Sequence, residues 1–187
     1  MVASMAADHS TTHFDLFGLP RSFDVDLGLL DEHYRECQRT VHPDRFVNAT
    51  DQERRLSMQR ATNINEGYQT LKDPLKRGRY LLELGGRTHN DEHHTLRDTA
   101  FLMEQMELRE ALGEVRGADD AFAALGVIMD RIANDIVQLL ADLQQQFSQG
   151  DTASLEQAAD SLSKMQFFRK LQAEAMELEL ELEDELA

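Results

Sequence analysis

From the first apolar cluster onward, the chain alternates between helical stripes and short breaks. Phe14, Leu16, Phe17 and Leu19 form a cluster closed by Pro20. This predicts a short first helix, because proline disfavours the helical conformation at the residue before it. Leu27, Leu30, Tyr34, Cys37 and Val41 then recur at intervals of 3, 4, 3 and 4, the stripe of a helix with one buried face. Asp26 is suited to cap its start. Pro43 must end it, so His42 through Ala49 is a loop. Thr50 and Glu53 have the spacing of a capping box and start a new helix near Asp51, with Ala61, Ile64, Tyr68 and Leu71 facing inward. Pro74 opens a further short helix carrying Leu75, Leu81, Leu82 and Leu84, which Gly85-Gly86 stops.

A polar stretch follows, and then three longer helical patterns over residues 96–115, 119–146 and 152–185, broken at Gly117 and Gly150. In the second, Phe122, Leu125, Met129, Ile132, Ile136, Leu139 and Leu143 keep the helical rhythm. In the third, the seam runs Leu155, Ala158, Leu162, Met165, Phe168, Leu171, Ala175 and Leu178. The closing stretch alternates Glu and Leu, which mimics a strand. Both residues favour helix and a lone strand has no partner, so a helix is predicted there too. Short turns between long helices make antiparallel neighbours. The expected fold is therefore all-α: an antiparallel helical hairpin with flanking short helices, joined to a C-terminal three-helix bundle. The predicted divisions are a polar leader over 1–12, a first module over 13–85, a linker over 86–95 and the bundle over 96–187.

Charge separates the two modules. Residues 1–86 carry 11 Lys/Arg against 13 Asp/Glu, and residues 87–187 carry 8 against 22. So acidic a surface repels phosphate backbones, which argues against nucleic acid as a partner. No run approaches the roughly 20 apolar residues of a membrane span, and no signal or transit pattern is visible, so a cytoplasmic location is expected. The single cysteine, Cys37, excludes an internal disulfide and a cysteine-rich zinc site. It falls on the buried stripe, where a core thiol is expected. His89, His93 and His94 lie in the polar linker without helical register and are not expected to bind metal. No phosphate-cradling loop and no nucleophile–base arrangement is present, so no cofactor and no catalytic activity are expected.

Two constellations carry candidate chemistry. The first is His42-Pro43-Asp44, between two amphipathic helices. At about 100° per residue, Arg35, Arg39 and His42 fall on one side of the preceding helix, away from its apolar stripe, and Arg45 follows in the loop. The second is on the helix beginning near residue 96. With Phe101 at zero, Leu108, Leu112 and Val115 lie within about 40°, enough to build a core. Leu102, Met103 and Met106 lie near 100°, 200° and 140°, beside Glu107, Glu110 and Glu114 near 180° to 240°. An apolar arc opposite the core and bordered by carboxylates is an exposed, adaptable protein-binding surface. Phe167, one step off the seam of the last helix, is assigned to the same surface.

The tripeptide between such helices resembles the signature of J-domain proteins. Leu16-Phe17-Gly18-Leu19-Pro20, Ile64-Asn65, Tyr68, Leu71, Asp73-Pro74 and Tyr80-Leu81-Leu82 are similar to the HscB branch, the J-type co-chaperones of iron–sulfur cluster assembly. The run from Arg97 through Asp98-Thr99-Ala100-Phe101-Leu102-Met103-Glu104-Gln105-Met106-Glu107-Leu108-Arg109 to Glu110 matches that branch closely. The resemblance covers about residues 14–171, outside which lie the leader and the acidic tail. It implies that residues 13–85 are a J-domain whose His42, Pro43 and Asp44, with Arg35, Arg39 and Arg45, dock on an HscA-type ATPase chaperone and promote ATP hydrolysis there. It implies equally that Leu102, Met103, Met106, Glu107, Glu110, Glu114 and Phe167 bind the IscU-type scaffold on which clusters are built. The expected protein is a monomeric adaptor and not an enzyme. A general J-protein serving unfolded clients is the alternative, and it would bind many unrelated apolar peptides where the first reading requires one folded partner. A helical scaffold with an inert loop would fail to stimulate any ATPase.

Overall fold

Every long helix starts on a side-chain cap that the sequence spells, apart from the proline-started one. Asp26 accepts the Leu29 N–H at 3.0 Å, and Thr50 and Glu53 form a reciprocal box, with the Thr50 N–H donating to Glu53 at 2.8 Å. Asp98, Asp120 and Asp151 accept from Phe101, Ala123 and Ser154. Each cap satisfies a backbone N–H that the first helical turn leaves open. The computed structural model describes residues 11–42, 49–87 and 98–185. Among them are α1 (His13–Leu16), α2 (Leu27–Val41), α3 (Asp51–Lys72), α4 (Pro74–Leu84), α5 (Thr99–Glu114), α6 (Ala121–Gln149) and α7 (Thr152–Asp184), with a 3-10 turn at Val115–Gly117 and no strand. The all-α expectation holds. The chain divides into two compact units, one running to Leu81 and the other from Leu82.

In the first unit α2 and α3 form the hairpin, with Leu30, Val41, Ile64 and Leu71 buried along their inner faces. α1 closes the core with Phe14 and Phe17, at 1% and 2% exposure. It ends earlier than Pro20 requires. Gly18 takes φ of +62°, and the Leu19 N–H returns to the Phe14 carbonyl at 2.9 Å, so a left-handed glycine stops the helix. Gly67 of α3 allows α1 to come close. A Cβ there would stand 3.1 Å from His13 Nδ1 and 3.2 Å from Phe17 Cε2. Glycine costs helix stability at this interior position, and what it provides in return is close packing. Arg77 is buried and donates to the Leu71 carbonyl at 2.6 Å, with Phe23 beneath its guanidinium.

In the second unit α6 and α7 are antiparallel across Gly150, whose φ of +67° reverses the chain. Leu125, Ile128, Ile132, Leu139 and Leu143 meet Ala158, Leu162, Met165, Phe168, Leu171 and Ala175 in the core. Buried Ala158, Ala159, Ser161 and Ser163 keep this part of α7 thin, which lets neighbouring helices approach closely. The acidic tail is helical to Asp184. Arg116, just past α5, holds both Glu181 and Glu185 on successive turns of it.

Two stripe residues depart from the expected core by being exposed, and the cysteine expected in the core is only partly buried. Leu27 is 46% exposed and Phe122 39%. Each is the first or second residue of its helix, where periodicity sets the direction of a side chain without supplying an element to cover it. Cys37 is half-exposed, and partial burial together with Glu36 pushes its thiol pKa up, which keeps it protonated and unreactive at neutral pH.

Candidate docking surfaces

The first surface is built on α2. Between α2 and α3 runs a polar and aromatic ladder that fixes their register. Tyr34 and Tyr68 stack with ring centroids 3.9 Å apart. The Tyr34 hydroxyl donates to Asn65 Oδ1 at 2.9 Å, and Gln38 donates to the same oxygen at 2.6 Å. One turn back, Tyr68 donates to Asp31 at 2.7 Å and receives Lys72 Nζ at 2.6 Å. With this edge bound to α3, the opposite edge of α2 faces solvent. There Glu32, Arg35, Glu36 and Arg39 line an open groove of about 380 Å³ floored at Gly28.

His42 is exposed and caps α2 with φ −59° and ψ 134°. That extended conformation is the one a residue before proline adopts. Ser57 of α3, itself buried, donates to the carbonyl of Val41 at 3.1 Å, which ties the end of α2 to α3 just before His42. Arg35 and Arg39 share the solvent-facing side of α2. Pro43, Asp44 and Arg45 lie outside the described residues, as do His89, His93 and His94. Among the described residues no cluster of three metal-binding side chains occurs, and no helix is long and apolar enough to cross a membrane.

The second surface is on α5, which has two faces. Phe101, Leu108 and Val115 are 4%, 1% and 1% exposed, with Leu112 half-buried beside them. On the other side Met103 and Met106 are 59% and 72% exposed, Leu102 is half-buried, and Glu107, Glu110 and Glu114 are exposed. The helix is held over its N-terminal half. The Asp98 cap also receives Lys164 Nζ from α7 at 2.7 Å, and Glu104 pairs with Arg131 of α6 at 2.9 Å. The bonds from Lys164 and from the Phe101 N–H hold the Asp98 carboxyl below its ordinary pKa. Phe167 is half-buried, edge-on to both Phe101 and Phe168, with the Arg109 guanidinium 5.7 Å from its ring centre. Arg109 and Arg77 were not singled out from the sequence, since nothing in a linear pattern shows which ring a guanidinium will cover.

Comparison with known proteins bears on both surfaces. Residues 97–176 match the family model described as the HSCB C-terminal oligomerisation domain. The co-chaperone protein HscB homolog of Shewanella oneidensis is 44% identical over 167 residues, covering 89% of this chain and 96% of its own. Among solved structures, chaperone HscB from Vibrio cholerae is 41% identical with a TM-score of 0.83, covering 91% of this chain and 99% of its own. Human co-chaperone protein HscB is 32% identical with a TM-score of 0.85, covering 93% and 85%. Similarity at this level over nearly the full length of both chains, hairpin and bundle together, leaves one assignment: the chain belongs to the HscB family of co-chaperones.

Proposed function

We propose that this co-chaperone works in iron–sulfur cluster assembly by stimulating an HscA-type, heat-shock-family ATPase chaperone and delivering to it an IscU-type scaffold protein. Residues 13–85 serve as the J-domain and residues 96–187 as the scaffold-binding domain. His42, Pro43 and Asp44 engage the chaperone, and Arg35, Arg39 and Arg45 steer the encounter toward an acidic surface. Asp44 can accept charge-assisted hydrogen bonds from an arginine, and Pro43 limits the entropy lost on docking. Leu102, Met103, Met106 and Phe167, bordered by Glu107, Glu110 and Glu114, hold the scaffold. The protein performs no chemical step itself. It works in the cytoplasm by raising the effective concentration of client at chaperone, so modest affinities suffice.

The observation that carries this reading is the double-faced α5, with Met103 and Met106 in solvent while Phe101 and Leu108 anchor the core. Methionine is adaptable and readily repacks against a partner. The test is ATP turnover by the cognate chaperone, measured alone, with this protein, with the scaffold, and with both. Stimulation by both together beyond either alone is the expected result. Turnover unchanged by this protein overturns the proposal.

A further inference from the structure

The edge of the hairpin beside His42 carries an apolar side chain that the core does not use. Met58 of α3 is 72% exposed, as open as Met106. Its neighbour Ser57 is the residue hydrogen-bonded to the Val41 carbonyl at 3.1 Å. Met58 and His42 are therefore each one residue on from a bonded pair, at the place where α3 meets the end of α2. At about 100° per residue, Met58, Asn65 and Lys72 lie within about 40° of one another on α3. Asn65 and Lys72 bond to Gln38 and Asp31 of α2, so this edge of α3 runs beside α2 and ends at Met58. Arg54, one turn before Met58, is half-exposed, anchored by its Nε to the Ala49 carbonyl at 3.2 Å and paired with Asp51 at 3.6 Å. Arg35, Arg39 and Arg55 are exposed on the two helices.

An exposed apolar side chain on an edge whose other exposed residues are charged has the anatomy of an interface centre with a polar rim. The rim is of mixed charge, with Glu32 and Glu36 between the α2 arginines, so the occupant follows from position: Met58 adjoins His42 and the α2 face assigned to the chaperone, and the same partner would cover both. We infer that Met58 is the apolar anchor of the chaperone-docking edge, entering an apolar recess on the ATPase chaperone while the charged residues of α2 and the start of α3 border it. This rests on the assignment of His42 and α2 to that chaperone. Leu56 provides an internal control. It is 46% exposed on the same helix but points about 160° away from Met58.

The experiment titrates the cognate chaperone's ATP turnover with the full chain and with Met58→Ser, Met58→Leu, Leu56→Ser and Arg39→Glu, after thermal melts show each variant folded. Met58→Ser should raise the concentration for half-maximal stimulation about fivefold or more, the scale of a centrally placed interface residue. Met58→Leu and Leu56→Ser should stay near wild type. If Arg39→Glu weakens stimulation and Met58→Ser does not, the anchor is overturned and the docking assignment stands. If neither changes, the docking assignment fails and takes the anchor with it. An equal loss in Leu56→Ser and Met58→Ser would trace the effect to α3 as a whole, which also overturns the anchor.

Discussion

The ring of Phe167 stands edge-on to that of Phe101, with centroids 5.6 Å apart and planes at 86°. One ring belongs to the core and the other borders the exposed face of α5, so this pair is where packing and candidate binding meet. Phe101→Ala removes a ring that is 4% exposed and should cost about 3–5 kcal/mol of unfolding free energy. Phe167→Ala removes a half-buried ring and its edge-on contacts with Phe101 and Phe168, and should cost less, about 1–3 kcal/mol. Urea unfolding of the two variants checks the difference; equal costs would mean that Phe167 is a core residue.

Gly67 and Gly126 both sit inside helices, yet alanine should act on them in opposite directions. At Gly126 an added Cβ meets nothing within 4 Å, so Gly126→Ala should stabilise by up to about 1 kcal/mol through helix propensity. At Gly67 the methyl would press on His13 and on Phe17, which is only 2% exposed and has little room to yield. Overpacking costs about 1–3 kcal/mol and should outweigh the propensity gain. Gly67→Ala is therefore expected to lower the melting temperature and Gly126→Ala to raise it.

These glycines show where the sequence was legible. Caps, breaks and helix spans could be read because their causes are local: Asp26, Thr50 with Glu53, and Gly150 each act within one turn of their own position. The two faces of α5 could be read for the same reason, since angle along a helix follows from spacing alone. What could not be read depends on elements distant in sequence. Gly67 matters because α1 lies against it, and Arg116 because Glu181 and Glu185 come back to it. Leu27 and Phe122 kept the rhythm of a core they do not join. Phe167 lies half-buried one step off the seam, and spacing along α7 carries no sign of its contact with Phe101.

Asp135 predicts an unusual pH response. Arg131 is shared between Glu104 at 2.9 Å and Asp135 at 4.0 Å, and Asp135 Oδ2 is covered without a hydrogen bond. Burial and the Glu104 charge raise its pKa, with Arg131 opposing. A carboxyl whose folded pKa lies above its unfolded value binds more protons when folded, so its contribution to stability falls as pH rises through that interval. Asp135→Asn should thus stabilise at pH 7 by a few tenths of a kcal/mol, about the scale of partly screened charges. The gain should shrink as pH falls below the ordinary aspartate range near 4. Melting curves at pH 7 and pH 3.5 measure it; an Asp135→Asn protein less stable at pH 7 would reverse the assigned sign.

The aromatic contact of Phe167 also decides how the α5 surface is best tested. Truncating Phe167 together with Leu102 and Met103 would disturb the Phe101–Phe168 cluster, and lost binding could then reflect a loosened bundle. Met103 and Met106 avoid this ambiguity, since at 59% and 72% exposure they give the core little. Met103→Ala with Met106→Ala should change unfolding free energy by no more than about 0.5 kcal/mol, as surface substitutions do. If these side chains are the centre of the scaffold contact, titration calorimetry should show affinity reduced by about tenfold or more. The glutamates provide an independent check, because reversing Glu107 and Glu110 to lysine should slow association most at low salt, where rim charges steer. Unchanged scaffold affinity in the methionine variant, with its fold intact, would remove α5 from the binding surface.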